Sequence, residues 1–138
     1  MPSAGNHDLR ERTFQFACAV VRFSREISKE PGVLRQINWQ LAAAATSAGS
    51  NLEEAKAAYS RKDFAAKNSI SLKEMREARY WLRVILHCNL AAAESVQPLL
   101  VEANELTAML TAGMRRLHPI ATLIITFGLI AFAHAVVQ

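Results

Sequence analysis

Three pairs of carboxylates stand close together along the chain: Glu53-Glu54, Glu74 with Glu77, and Glu102 with Glu105. Paired carboxylates can do general acid–base work when their surroundings drive their pKa values apart. Lys73, Arg76 and Arg79 surround the middle pair, so surface charge balance is the simpler reading there. Carboxylates aimed into a helical bundle can also hold two iron ions, a site that needs Glu-x-x-His pairs. No histidine lies three residues after a glutamate, and His7, His87, His118 and His134 do not pair at helical spacing. No metal site is expected. A glycine-rich phosphate loop and a G-x-S-x-G elbow are both missing. His87 precedes Cys88 directly, but neighbouring helical residues point apart and do not activate one another. The chain reads as a non-enzyme that needs no cofactor.

The remaining chemistry is charge. Net charge is +4, and it is concentrated. Between Ser60 and Asn89, Arg61, Lys62, Lys67, Lys73, Arg76, Arg79 and Arg83 stand against Asp63, Glu74 and Glu77. That surplus of seven over three equals the excess of the whole chain. Such a stripe attracts nucleic acid, an anionic membrane or an acidic partner, or is simply a solvated helix face. Few aromatic residues accompany the charges, which favours phosphate contacts over base stacking.

The elements that must carry these residues are helices. At 138 residues the chain fits one domain with a hydrophobic core. Alanine is abundant, glycine and proline are few, and no alternating β-branched run suggests a strand. A first helix is predicted from about Asp8 to Lys29, with Phe16, Val20, Phe23 and Ile27 on one stripe. Pro31-Gly32 then makes a turn. The second helix runs from Val33 to about Ala58, along a seam of Leu34, Ile37, Leu41, Ala44 and Ala48. Ser60 caps the third, with Asp63 as the acidic member of a capping box. That helix continues to about Asn89 with Phe64, Met75, Leu82, Ile85 and Leu86 inward. Ser95 to Pro98 begins a fourth, with Leu99, Ala103, Leu106, Leu110 and Leu117 facing the core. Short connections give an all-α, up-down-up-down antiparallel four-helix bundle over residues 1–118.

Residues 119–138 differ in character. Ile120 to Val137 contains no Asp, Glu, Lys or Arg and follows Arg115-Arg116. It is an extra apolar C-terminal helix, at the lower length limit for a membrane span or else buried against the bundle or within an oligomer. Cys18 and Cys88 are too few for a disulfide framework and read as buried thiols in a reducing compartment. The N-terminal dozen residues lack the apolar core of a secretory signal, so a cytoplasmic protein is expected.

One pattern does not suit a plain bundle. Ser47, Asn51 and Glu54 form a ladder along the second helix, and Lys67, Ser71 and Glu74 repeat its spacing on the third. Facing one another in an antiparallel pair, these residues would build a charge-assisted polar network. Exposed ladders of ordinary helix polars are the alternative.

The joint pattern resembles a known family. Its parts are Gln40-Leu41, Ser47-x-x-x-Asn51-x-x-Glu54-Ala55, Ser60-x-x-Asp63-Phe64-x-x-Lys67 and Lys73-Glu74-x-x-Glu77-x-x-x-Trp81-Leu82. Together, over about Leu9 to Leu117, they resemble the bacterial four-helix-bundle proteins, also called the S23 or ribosomal-RNA intervening-sequence family. The chain also looks similar to the accessory variability proteins of diversity-generating retroelements. The resemblance implies a homo-oligomer, commonly a pentameric ring, without catalytic activity. The retroelement relatives imply binding of RNA or DNA, and of a reverse transcriptase, through a basic surface. On this chain the phosphate contacts would be Arg61, Lys62, Lys73, Arg76, Arg79 and Arg83. The structural polar network would be Ser47, Asn51, Glu54, Asp63, Lys67 and Glu74.

Overall fold

The computed structural model describes residues 4–29 and 31–117. These residues form four α-helices: α1 (Ala4–Ile27), α2 (Val33–Lys56), α3 (Arg61–His87) and α4 (Ala93–Leu117). The apolar segment predicted after Pro119 lies outside the described residues. None of the four helices is long and apolar enough to cross a membrane.

Consecutive helices pack side by side, and α1 returns against α4 to close the bundle. The α2–α3 interface is the most extensive and α1–α4 the least. Val20, Leu41, Met75, Leu82, Ile85, Val96, Leu106 and Leu110 form the buried centre, drawing on all four helices. Three alanines of α2, Ala44, Ala45 and Ala48, are buried with them. Side chains this short let a neighbouring helix come close.

The helix ends obey local chemistry. Ser60 adopts an extended backbone, and its Oγ accepts the Asp63 amide at 3.0 Å. The Asp63 carboxylate accepts from the Tyr59 amide at 3.4 Å, one residue beyond the usual capping-box partner, the amide of Ser60. At the other end of α3, Asn89 takes φ 52°. Its amide donates to the Leu86 carbonyl and the Leu90 amide to that of Ile85. That pair of bonds is a Schellman motif, accompanied by half-buried Leu90 packing against the core. Gly32 precedes α2 with φ 93° and ψ −147°, a conformation open essentially to glycine alone.

Two details differ from expectation. Helix α4 starts at Ala93, so Pro98 falls inside it and the Glu94 carbonyl loses its amide partner. Glu94 and Pro98 are both exposed, and water can satisfy that carbonyl. Cys88, expected to be buried, is an exposed cap residue, because α3 ends one residue earlier and the chain turns away there.

The left-handed residue offers a test. Replacing Asn89 by Gly should stabilise the bundle by about 0.5 kcal/mol, and Asn89→Val should cost about 1–2 kcal/mol. Urea melts followed by helical circular dichroism will register both; an unchanged midpoint for Asn89→Val would show that this turn contributes nothing.

Candidate functional site

The polar ladders lie along the edge of the α2–α3 seam. The backbone there is antiparallel, so that Ser47 lies beside Glu74 and, seven residues further along α2, Glu54 pairs with Lys67. Between them Ser71, fully buried, donates its hydroxyl to the Ala48 carbonyl at 2.8 Å. Asn51 remains on its own helix, its amide donating to the Ser47 carbonyl at 2.9 Å. Glu54 keeps 56% of its side chain exposed. The ladder is thus less buried than a continuation of the core seam would be. Ser47, Asn51 and Glu54 each precede a core position, Ala48, Leu52 and Ala55, and so sit about 100° round the helix, at its edge. Asp63 belongs to the α3 cap and adds electrostatic support to Lys67.

Charge at this edge is unevenly satisfied. The Lys67 ammonium is held above its ordinary pKa by its hydrogen bond to Glu54. Glu74 is pushed up from the ordinary glutamate value, first by loss of solvent and then by the nearby Glu77, while a hydrogen bond from Ser47 opposes the shift.

Glu77, Glu102 and Glu105 are also engaged. Arg12 of α1 grips Glu102 with two bonds, 2.9 Å from Nε and 2.8 Å from Nη2, and reaches Glu105 at 2.5 Å. Those contacts tie α1 to α4 and raise the Arg12 pKa further. The carboxylate pair at 102 and 105 is therefore part of a structural clamp. Glu77 accepts the Trp81 indole N–H at 3.2 Å. Among the described residues, no group of three His, Cys, Asp or Glu side chains could hold a metal ion.

The cations of α3 have a different disposition. At 100° per residue Arg61, Lys62, Lys73, Arg76, Arg79 and Arg83 fall within an arc of about 120°, away from the core and from α2. Arg79 is half-buried and the other five are exposed. None of the six forms an ion pair among the described residues, whereas Lys67, on the α2 side, does. Arg76 and Arg79 line one wall of a groove of about 370 Å³, and Arg115, Asn104 and Thr111 of α4 line the other. Tyr80 lies within the cationic arc, 54% exposed, and its ring meets Trp81 edge-on at 5.0 Å and 71°.

Sequence reasoning passed over Arg12, Tyr80 and the buried Asn38, whose amide donates to the Ser24 carbonyl at 2.9 Å, and noted Arg115 only as a flank of the apolar tail. Arg12 sits three residues after Leu9 and four before Phe16, a spacing that could have marked it as edge-facing. Arg115 continues a polar row from Asn104 and Thr111. Tyr80 falls four residues after Arg76 and three before Arg83.

Fold and site together define a helical-bundle protein with a cationic face, with Glu54, Glu77, Glu102 and Glu105 engaged in ion pairs and hydrogen bonds. The chain belongs to the 23S rRNA-intervening sequence protein family, whose model matches residues 6–112. A solved structure from Bacteroides thetaiotaomicron VPI-5482, described as a protein with unknown function from the S23 ribosomal protein family, is similar to it. The two are 27% identical with a TM-score of 0.71, over 78% of this chain and 98% of that one. No curated protein matches the chain.

Glu74 supplies a pH test. An acid whose pKa is raised by folding supports the native state below its ordinary value of about 4.5 and loses that contribution as pH rises through the folded value. Glu74→Gln should therefore melt higher than the unmodified chain at neutral pH, and the two curves should converge under acid conditions. A constant offset at every pH would mean that the carboxylate charge is not the cause.

Proposed function

We propose that this protein is a non-enzymatic, homo-oligomeric scaffold that binds nucleic acid through the outward face of α3. The observation that supports this reading most directly is the convergence of Arg76, Arg79 and Arg115 around one α3–α4 groove. Planar guanidinium groups suit phosphate oxygens, which they bind through two parallel N–H bonds. Asn104 and Thr111 add neutral polar groups beside them. Arg61, Lys62, Lys73 and Arg83 extend the cationic surface along the helix. The family's description, which names an intervening sequence of ribosomal RNA, makes RNA the first ligand to examine. Resemblance to the retroelement accessory proteins adds a reverse transcriptase as a protein partner. The cytoplasm is the compartment that suits this reading.

Binding should weaken steeply with salt, as counterions released from the phosphates are replaced. For three to six phosphate contacts on a single strand, the logarithm of affinity should fall with a slope of roughly −2 to −4 against the logarithm of salt concentration. Arg76→Glu with Arg79→Glu should flatten that slope and abolish binding at physiological ionic strength. A filter-binding titration that finds no affinity for any RNA or DNA at low salt removes the proposal.

A second surface supports self-association. Phe14 and Val21 of α1 are exposed and, with half-buried Cys18 between them, line an apolar groove of about 460 Å³ against Gly49 of α2. Helix α1 lies diagonally across the bundle from α3, so an assembly built on this face leaves the cations free. Repetition of the stripe in a ring, five-membered by the family resemblance, then multiplies weak contacts by effective concentration. Light scattering should show that Phe14→Glu with Val21→Glu lowers the oligomer mass while helical content is retained. Loss of the oligomer on reversing Arg76 and Arg79 instead would mean that the cations serve subunit ion pairs, and the binding proposal would fall.

A further inference from the structure

We infer that the α3 face recognises unpaired nucleotides, with Tyr80 as a stacking platform for a base and the flanking cations as phosphate contacts. The inference rests on the nucleic-acid reading above and gives that surface a preference for single strands over duplex.

Tyr80 is unusual in its placement. Its neighbours one turn away on the helix are Arg76, Glu77, Arg83 and Val84, so that cations lie on both sides of the ring along the helix axis. Arg76 lies one turn before it on the same face, Arg83 one turn after, and Lys73 two turns before. Lys73 to Arg83 spans about 15 Å along the helix axis. A base placed on Tyr80 therefore has cations available for the phosphates on both of its sides.

The ring is also held in place. Trp81 is half-buried against the core and meets Tyr80 in an edge contact, with centroids 5.0 Å apart. Trp81 is itself anchored by its indole N–H on Glu77 at 3.2 Å. A tyrosine with few torsions, braced by a fixed neighbour, loses little conformational entropy when a base settles on it. More than half of the Tyr80 surface remains open to solvent.

The chemistry then separates single strands from duplex. Stacking needs a base whose π-face is uncovered, a condition met in loops, bulges and free strands. Within a duplex each face is covered by the next base pair, and a ring on a convex helix can reach only the backbone. Arginine and lysine attract both forms, so the cations supply affinity and Tyr80 supplies the preference. Stacking is tolerant of sequence, because every base offers a π-face.

The test uses the full chain, a fluorescein-labelled single-stranded RNA and the same strand annealed to its complement, at fixed moderate salt. Tyr80→Ala should weaken single-strand binding by about tenfold and leave duplex binding unchanged. Tyr80→Phe should bind as the unmodified protein does, since it keeps the ring and loses only the hydroxyl. Circular dichroism and light scattering confirm fold and oligomer mass for each variant. Equal effects of Tyr80→Ala on both ligands, no effect on either, or a changed oligomer mass would overturn the stacking role. In any of those cases Arg76→Glu with Arg79→Glu decides the fate of the broader reading. Lost binding leaves a purely electrostatic interface, and retained binding overturns both.

Discussion

The closeness of α2 and α3 governs much of the rest of this structure. Ala44, Ala45 and Ala48 are buried and present almost no side-chain bulk on α2, whose interface with α3 is the most extensive. Near approach is what allows the short Ser71 hydroxyl to reach a backbone carbonyl on another helix, that of Ala48. A fully buried hydroxyl without such a partner would cost about 1–3 kcal/mol, so the bond also penalises other registers. Sliding α3 by one turn would strand Ser71 and separate Glu54 from Lys67.

Once that register is set, every residue of α3 has an assigned direction. Met75, Ala78, Leu82 and Ile85 are buried, Glu74 and Lys67 lie at the α2 edge, and the cations face outward and toward α4. The two edges carry different electrostatic loads. Lys67 and Glu54 neutralise one another, whereas Glu74 lies near Glu77 and partly out of water, which works against its ionised form. On the opposite side of the bundle, Arg12 spans the least extensive interface, α1–α4, and holds two carboxylates that would otherwise repel. Interhelical ion pairs therefore occur at both of these seams and leave the α3 arc uncompensated.

That uncompensated arc distinguishes the molecule from a bundle that merely folds. A helix stabilised for its own sake distributes charge so that neighbours three and four residues apart attract. Here Arg76, Arg79 and Arg83 follow one another at those spacings and repel, and Arg115 approaches the same groove from α4. Exposed apolar side chains are spread over all four helices, among them Phe14 and Val21 of α1, Trp39 of α2, Ile70 of α3 and Val101 of α4.

Much of this was legible from residue types and spacing. The stripe from Phe16 to Phe23, the cap at Ser60, the turn at Pro31-Gly32 and the inward leucines of α4 are local signals, decided by propensities and periodicity within a few residues. The cationic arc was legible for the same reason, since helical spacing alone puts its members on one side. What α3 presents beside those cations was not, because the exposure of Tyr80 and its contact with Trp81 depend on which arc the bundle covers. Nor could periodicity show that Glu102 and Glu105 belong to Arg12, about ninety positions away. It likewise missed that Arg115 of one helix completes a groove begun by Arg76 and Arg79 of another. By itself the sequence determined four amphipathic helices, their order and the sign of their charge, all properties of neighbours along the chain. Tertiary packing alone decided which polar residue of the α2–α3 ladders is fully buried, namely Ser71, and which charges meet, because those depend on the distance between backbones that only packing sets.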